Sequence, residues 1–147
     1  MIRRIERGDR KRYVELVKAF YSSPAVLESV PEENILATFE EMMRSRDYVQ
    51  GFFLLADNGQ VAGYALVVKS FSQEAGGMVL WVDELYILKE YRSLGLGGKF
   101  LDFLQENLAE DVKRIRLEVE EDNSRAMSLY QRLGFEELPY VQMIMEP

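Results

Sequence analysis

The chain has 147 residues, 48% hydrophobic and 29% charged, the proportions of a single soluble domain over residues 1–147. Its 25 acidic and 18 basic side chains leave a net charge of −7, which repels phosphate backbones and excludes nucleic acid as an expected partner. Cysteine and histidine are both absent, so disulfides, thiolate or imidazole metal sites, cysteine nucleophiles and His-based triads are excluded.

No metal site is therefore expected, and acid–base chemistry falls to Asp, Glu, Lys, Tyr or water. The opening MIRRIERGDRKR is charged and lacks the apolar stretch of a secretory signal. No apolar run nears the ~20 residues of a membrane span. A cytoplasmic protein with no membrane partner is the expectation.

In chain order, Ile2 to Glu6 alternates weakly and reads as an edge strand. Asp9 is a candidate N-cap for a helix with Tyr13, Val14, Val17, Phe20 and Tyr21 on one face, ended by Ser22-Ser23-Pro24. Pro31-Glu32-Glu33 opens a second helix with Ile35, Leu36, Phe39, Met42 and Met43 at helical spacing. The period then changes: Gly51 to Ala56 reads as a strand, Asp57-Asn58-Gly59 as a hairpin turn, and Val61 to Lys69 as its return. After a Gly76-Gly77 turn, Met78 to Leu88 reads as a long strand. A glycine-rich stretch from Arg92 to Gly98 opens a helix that turns Phe100, Leu101, Leu104 and Leu108 inward. Lys113 to Val119 alternates, with Ile115, Leu117 and Val119 on one face. Asn123 caps a last helix bearing Ala126, Met127, Tyr130 and Leu133, closed by Gly134. Phe135 to Glu137 and Val141 to Met145 are read as two final strands. The order predicts an α/β or α+β domain on a mixed sheet. The methionines at 42, 43, 127, 143 and 145 are read as fillers of its core.

Two segments carry candidate chemistry. In Tyr91-Arg92-Ser93-Leu94-Gly95-Leu96-Gly97-Gly98-Lys99, a strand feeds a glycine loop that runs directly into a helix. Backbone N–H groups there can approach an anion closely, and the helix N-terminus favours negative charge. Phe100 breaks both the Walker A and the dinucleotide fingerprints, so the loop is neither. In Asn123 to Phe135, Asn123 and Tyr130 are seven residues apart, on nearly one face and about 10 Å apart along the helix. A long linear ligand can touch both; an N-cap and a core tyrosine is the plainer reading.

Taken together and in this order, the two segments resemble the GNAT N-acetyltransferase superfamily across essentially the whole chain. Arg92-Ser93-Leu94-Gly95-Leu96-Gly97 matches that family's Arg/Gln-x-x-Gly-x-Gly/Ala loop, and Asn123 to Phe135 looks like its later motif, with Tyr seven residues after Asn and Leu-Gly-Phe at the end. The resemblance implies a GNAT-like acyl-CoA N-acyltransferase fold: a central, mostly antiparallel sheet flanked by about four helices. It implies acetyl-CoA as co-substrate, with Leu85 and Ile87 holding its pantetheine arm and Ile87 N–H polarising the thioester carbonyl. It also implies that the amides of Ser93, Leu94, Gly95, Leu96, Gly97 and Gly98, beside Arg92, hold the pyrophosphate, that Asn123 contacts the arm, and that Tyr130 is the general acid. Ser93 and Leu94 stand where many members have glycine and a basic residue, and Lys89 where proline is common, which implies weaker cofactor affinity. Dimers are frequent in the family, so a homodimer is an expectation.

Within the superfamily, Trp81-Val82-Asp83-Glu84 together with Asn123-Ser124-Arg125-Ala126 looks most like polyamine and diamine acetyltransferases. A protonated amine must lose a proton before it attacks. Asp83 is the first candidate to attract the cation and relay that proton, and Glu84 the second, since strand alternation sends them to opposite faces. Glu32, Glu33, Glu40 and Glu41 can rim a cationic cleft, although solvated surface charge is the plainer reading. Trp81 and Tyr86 are candidates for the acceptor pocket or for packing. The expected activity is direct acetyl transfer to a small primary amine. Acetylation of protein N-termini or amino-acid-like amines, and a non-catalytic acyl-CoA sensor, stand as alternatives.

Overall fold

The computed structural model describes residues 1–26 and 28–147. Its elements are β1 (Ile2–Arg4), α1 (Arg10–Tyr21), α2 (Glu32–Arg44), β2 (Val49–Leu55), β3 (Val61–Ser72), β4 (Gly77–Ile87), α3 (Leu96–Glu106), β5 (Val112–Leu117) and α4 (Ser124–Arg132). The strands form one sheet in sequential order, antiparallel from β1 to β4, with β5 added parallel to β4. This is the mixed, mostly antiparallel sheet with helices that the sequence predicts. Among the described residues, no helix is long and apolar enough to cross a membrane.

Alternation in the central strands builds two cores, one on each face of the sheet. Phe52 and Leu54 of β2, with Ala65 and Val67 of β3 and Leu80 and Val82 of β4, pack against Leu96, Phe100, Leu101 and Leu104 of α3. On the other face, Phe53, Tyr64 and Leu66 pack against Tyr13, Leu16 and Val17 of α1 and Ile35, Phe39 and Met42 of α2. Buried on both sides, the middle of the sheet fixes the register of every strand. Asp9 does stand at the N-cap of α1, but its carboxylate does not cap that helix. It accepts from Arg3 through both oxygens, at 2.8 and 3.0 Å, and from the Glu6 N–H at 2.8 Å, and so ties β1 to α1.

Three expectations are corrected. Leu108 lies beyond the end of α3 and is exposed, because the helix stops at Glu106. Phe135–Glu137 and Val141–Met145 are not strands: among the described residues nothing pairs with the edge of β5 away from β4, and a strand needs a partner for its backbone groups. Met143 and Met145 are consequently exposed rather than filling a core, whereas Met42 is buried as expected.

Gly63 shows how tightly β3 and β4 are joined. A Cβ there would collide with the Tyr86 carbonyl oxygen, a backbone atom that cannot swing aside. Gly63→Ala is expected to destabilise by about 1–3 kcal/mol and to lower Tm by several degrees. Gly98→Ala is the contrast. It faces open space inside α3, so the helix-propensity gain of about 0.5–1 kcal/mol is expected to hold or raise Tm in the same thermal melt.

Candidate active site

The site arises where β4 outruns its parallel neighbour. β4 and β5 pair from Met78 with Val112 to Val82 with Leu117, and β4 continues to Ile87 without a partner on that side. At the same point β4 carries a bulge: Leu66 faces Glu84 and Val67 faces Val82, which leaves Asp83 unmatched. Beyond it, Tyr86 pairs with Tyr64 and the Leu88 N–H donates to the Ala62 carbonyl at 2.8 Å. Alternation therefore turns the N–H groups of Leu85 and Ile87 toward the gap that β5 leaves open.

The glycine loop lies against the same stretch. Ser93 and Gly95 both adopt left-handed backbone, with φ of 65° and 77°, and Gly95 is the N-cap of α3 with no side chain to cap it. The first bond of α3 is from Lys99 N–H to the Gly95 carbonyl, at 3.0 Å. The N–H groups of Leu96, Gly97 and Gly98 thus have no acceptor within the helix and point from its positive end. A Cβ on Gly97 would stand 3.8 Å from Ile87 Cδ1 and 3.9 Å from Leu85 Cδ2, so the loop faces the two β4 residues singled out from the sequence. A long ligand with an anionic head fits this arrangement: free amides at the head, a free strand edge along the arm.

Arg92 is used locally. Its Nε donates to the Ile87 carbonyl at 2.9 Å and its guanidinium lies 5.8 Å from the centre of the Tyr86 ring, which pins the end of β4. Arg125 donates to Ser93 Oγ at 2.6 Å and joins α4 to the loop. Leu94 is exposed. Asn123 caps α4, its Oδ1 accepting from Ala126 N–H at 3.3 Å, as the plainer reading held. Tyr130 packs against the core that holds Leu85, Ile87 and Leu117, with its ring 5.8 Å from Phe135. Burial pushes its hydroxyl pKa up, which keeps the proton on the oxygen.

The bulge resets the alternation of β4 at Asp83, the extra residue. With Asp83 as the extra residue, Trp81, Glu84 and Tyr86 fall on the α1/α2 face, while Val82, Leu85 and Ile87 face α3. Trp81 is stacked under Arg116, 4.0 Å from the ring centre. Glu84 is half-buried, and its carboxylate is gripped by two hydroxyls: Tyr21 donates to Oε2 and Tyr64 to Oε1, each at 2.5 Å. Phe20 and Tyr86 complete an aromatic wall beside it, with ring centres 5.3 Å apart. Burial raises the Glu84 pKa, the two hydroxyls pull it down, and Asp83 pushes it further up; the balance is upward. Asp83, more open to solvent, is also raised, by its partly buried surroundings and by Glu118. Three carboxylates at this end of β4 make a negative patch that favours a cation.

Sequence reasoning missed Tyr21 and Tyr64, which lie 63 and 20 residues from Glu84; Tyr21 was read only as part of a helix face and Tyr64 only as part of a strand. Neighbouring hydroxyl-bearing rings on the inward face of α1 and β3 carry no local signal of a distant carboxylate. Three of the four acids of α2 are ion-paired, in keeping with the plainer reading of solvated surface charge. Glu32 pairs with Lys18, Glu40 with Arg7 and Glu41 with Arg44, all at the surface.

Residues 12–135 match the Acetyltransferase (GNAT) family, and the chain belongs to that family. It is 37% identical over 82 residues to a probable spermine N(1)-acetyltransferase of Bacillus subtilis subsp. natto, covering 53% of this chain and 54% of that one. The chain thus spans about half the length of the spermine-type relatives it matches. An N-alpha-acetyltransferase of Sulfurisphaera tokodaii is 30% identical over 118 residues, covering 75% of this chain and 70% of that one. Among solved structures, AAC(6')-Iy in complex with the bisubstrate analogue CoA-S-monomethyl-acetylneamine superposes with a TM-score of 0.81 at 19% identity, over 100% of this chain and 97% of that one. The fold is shared.

The two hydroxyls on Glu84 favour its charged form, so removing one must raise the pKa further. Tyr21→Phe is expected to move the Glu84 titration to higher pH, followed by carboxyl carbon shifts in NMR. An unchanged midpoint would show that the Tyr21 contact is not made in solution. The sign for stability is set by the raised folded-state pKa: this carboxyl stabilises the fold at low pH and loses that contribution as pH climbs through its midpoint.

Proposed function

We propose that the protein transfers an acetyl group from acetyl-CoA directly to a primary amine carried by a small cationic molecule. The observation that carries this reading is an open strand edge and an uncapped helix beside β4, next to a half-buried carboxylate held by two hydroxyls on the same strand. Acetyl-CoA, when bound, supplies an activated acyl carbon with a thiolate leaving group. Leu96, Gly97 and Gly98 N–H groups receive its pyrophosphate, and Leu85 and Ile87 its arm. Ile87 N–H points at the gap and stabilises negative charge that develops on the carbonyl oxygen.

On the other face, Asp83 and Glu118 draw in the protonated amine. Glu84, each of whose oxygens keeps a lone pair beyond its tyrosine contact, takes the amine proton through a water. The amine nitrogen then bonds to the acyl carbon and loses its second proton to water at the gap, the carbon–sulfur bond breaks, and the Tyr130 hydroxyl gives its proton to the departing thiolate. Tyr130 is refilled from solvent. No covalent acyl-enzyme is part of this reading, since the chain has neither a cysteine nucleophile nor a histidine to activate another.

Free CoA released from acetyl-CoA is the readout, with a panel of spermidine, short diamines and peptides bearing free N-termini. Diamines and polyamines are expected to react best. Preference for peptide N-termini would favour the second reading, which rests on the longer match to an N-alpha-acetyltransferase. Absence of CoA release with every amine on the panel would point to the sensor.

Two substitutions separate the roles. Glu84→Gln is expected to cut kcat/KM by about 10²-fold or more and to erase the acidic limb of the pH profile, which lies above the ordinary Glu range of about 4.3. Asp83→Asn is expected to raise KM for the amine more than it lowers kcat; the reverse pattern would exchange the two roles.

On the cofactor face, Tyr130→Phe is expected to lower kcat at least about tenfold with acetyl-CoA affinity nearly unchanged. Gly97→Val is expected to abolish that affinity by calorimetry, since its side chain fills the space between loop and Leu85. A folded Gly97→Val protein that binds normally would place the phosphates elsewhere.

A further inference from the structure

Two ends of opposite charge stand on one face of the sheet. Glu84 marks the acidic end, with Asp83 and Glu118 beside it. Trp81 is the next residue of β4 on that face toward the start of the strand, because Asp83 is the bulged residue between them. Two strand positions set Trp81 and Glu84 roughly 7 Å apart. Arg116 of β5 pairs with Trp81 and lays its guanidinium over the indole, 4.0 Å from the ring centre.

This cation is otherwise uncommitted. Among the described residues, Arg116 joins no ion pair and no carboxylate of the acidic end reaches it. Arg10, Arg46 and Arg132 are likewise unpaired, but they are exposed, whereas Arg116 is half-buried. Its neighbour Arg114 is already held by Glu74 at 3.1 Å. Stacking fixes the plane of a guanidinium and leaves its edge of N–H donors free, and that fork matches a carboxylate. A group held in place beforehand loses little freedom when it binds.

We infer that Arg116, on its Trp81 platform, takes a carboxylate carried by the acceptor, so that the preferred acceptor is a diamine that also bears a carboxylate. The inference rests on the acetyl-transfer reading and deepens it by naming the far end of the acceptor. The reacting amine then lies beside Glu84 and the carboxylate on the Arg116 fork. About four methylenes, with bonds of about 1.5 Å, span the separation. That is the pattern of a free basic amino acid, whose net positive charge also suits a protein of net charge −7. A simple diamine of the same length gains no contact at Arg116.

Lysine, lysine amide and cadaverine test this, with CoA release as the rate and NMR of the product locating the acetyl group on the side-chain amine. The unaltered protein is expected to favour lysine over lysine amide by about tenfold or more in kcat/KM, as one charged hydrogen-bonded pair supplies. The gain should lie in KM, because the carboxylate is remote from the bond that forms. Arg116→Gln is expected to bring the ratio near one. Arg116→Lys, which keeps the charge and loses the planar fork, should restore part of it. A ratio near one in the unaltered protein overturns the inference, as does a preference for lysine that survives Arg116→Gln. Turnover of cadaverine and lysine amide without preference for lysine sinks this inference alone and leaves the acetyl-transfer reading standing. Turnover of none of the three sinks both.

Discussion

The parting of β4 from β5 after Val82 and Leu117 is the constraint on which the rest of the site depends. A parallel pair normally satisfies both strand edges along its length; here residues 83–87 keep β3 on one side and lose β5 on the other. Buried backbone donors without partners are costly, so an edge like this persists only where something else can meet it. The groups that face it are few and specific: the Arg92 guanidinium on the Ile87 carbonyl, the glycine turn before α3, and the cluster around Tyr130. Close β3–β4 pairing through Gly63 holds β4 in place while its other edge stands open.

The bulge at Asp83 gives this one strand two chemistries. Without it, Glu84 would fall on the α3 face among apolar side chains. With it, Glu84 reaches the hydroxyls of Tyr21 and Tyr64, and Leu85 and Ile87 keep the α3 face. The Glu84 carboxylate and the open backbone edge of Leu85 and Ile87 thereby belong to one short stretch of β4. In the proposed transfer the two reactants meet beside this stretch, where no bulk rearrangement is needed to bring them together.

Much of this was legible in the sequence, for physical reasons that differ by element. The hydrophobic period located α1, α2 and the inner strands because the sheet is buried on both faces. The Gly95 turn and the Asn123 cap were legible because left-handed backbone and an orphan helix N–H select particular residue types. The bulge was not legible: it depends on register with β3, which no local pattern encodes. The tyrosine grip on Glu84 was hidden for a related reason, since its partners are remote in sequence and look like ordinary core residues. Phe135–Glu137 and Val141–Met145 were misread because alternation marks strand-forming composition, and a strand exists only when an edge receives it.

The central claim concerns which amides face the gap, and amide hydrogen exchange in the free protein and with CoA tests it most directly. In the free protein, Leu85 and Ile87 should exchange quickly, while Tyr86 and Leu88, bonded to β3, should be protected. CoA should slow Leu85, Ile87 and the first-turn amides of α3 and leave Tyr86 and Leu88 as they were. Protection of Leu85 and Ile87 before CoA is added, or no change when it binds, would contradict the open edge as the place where the cofactor lies.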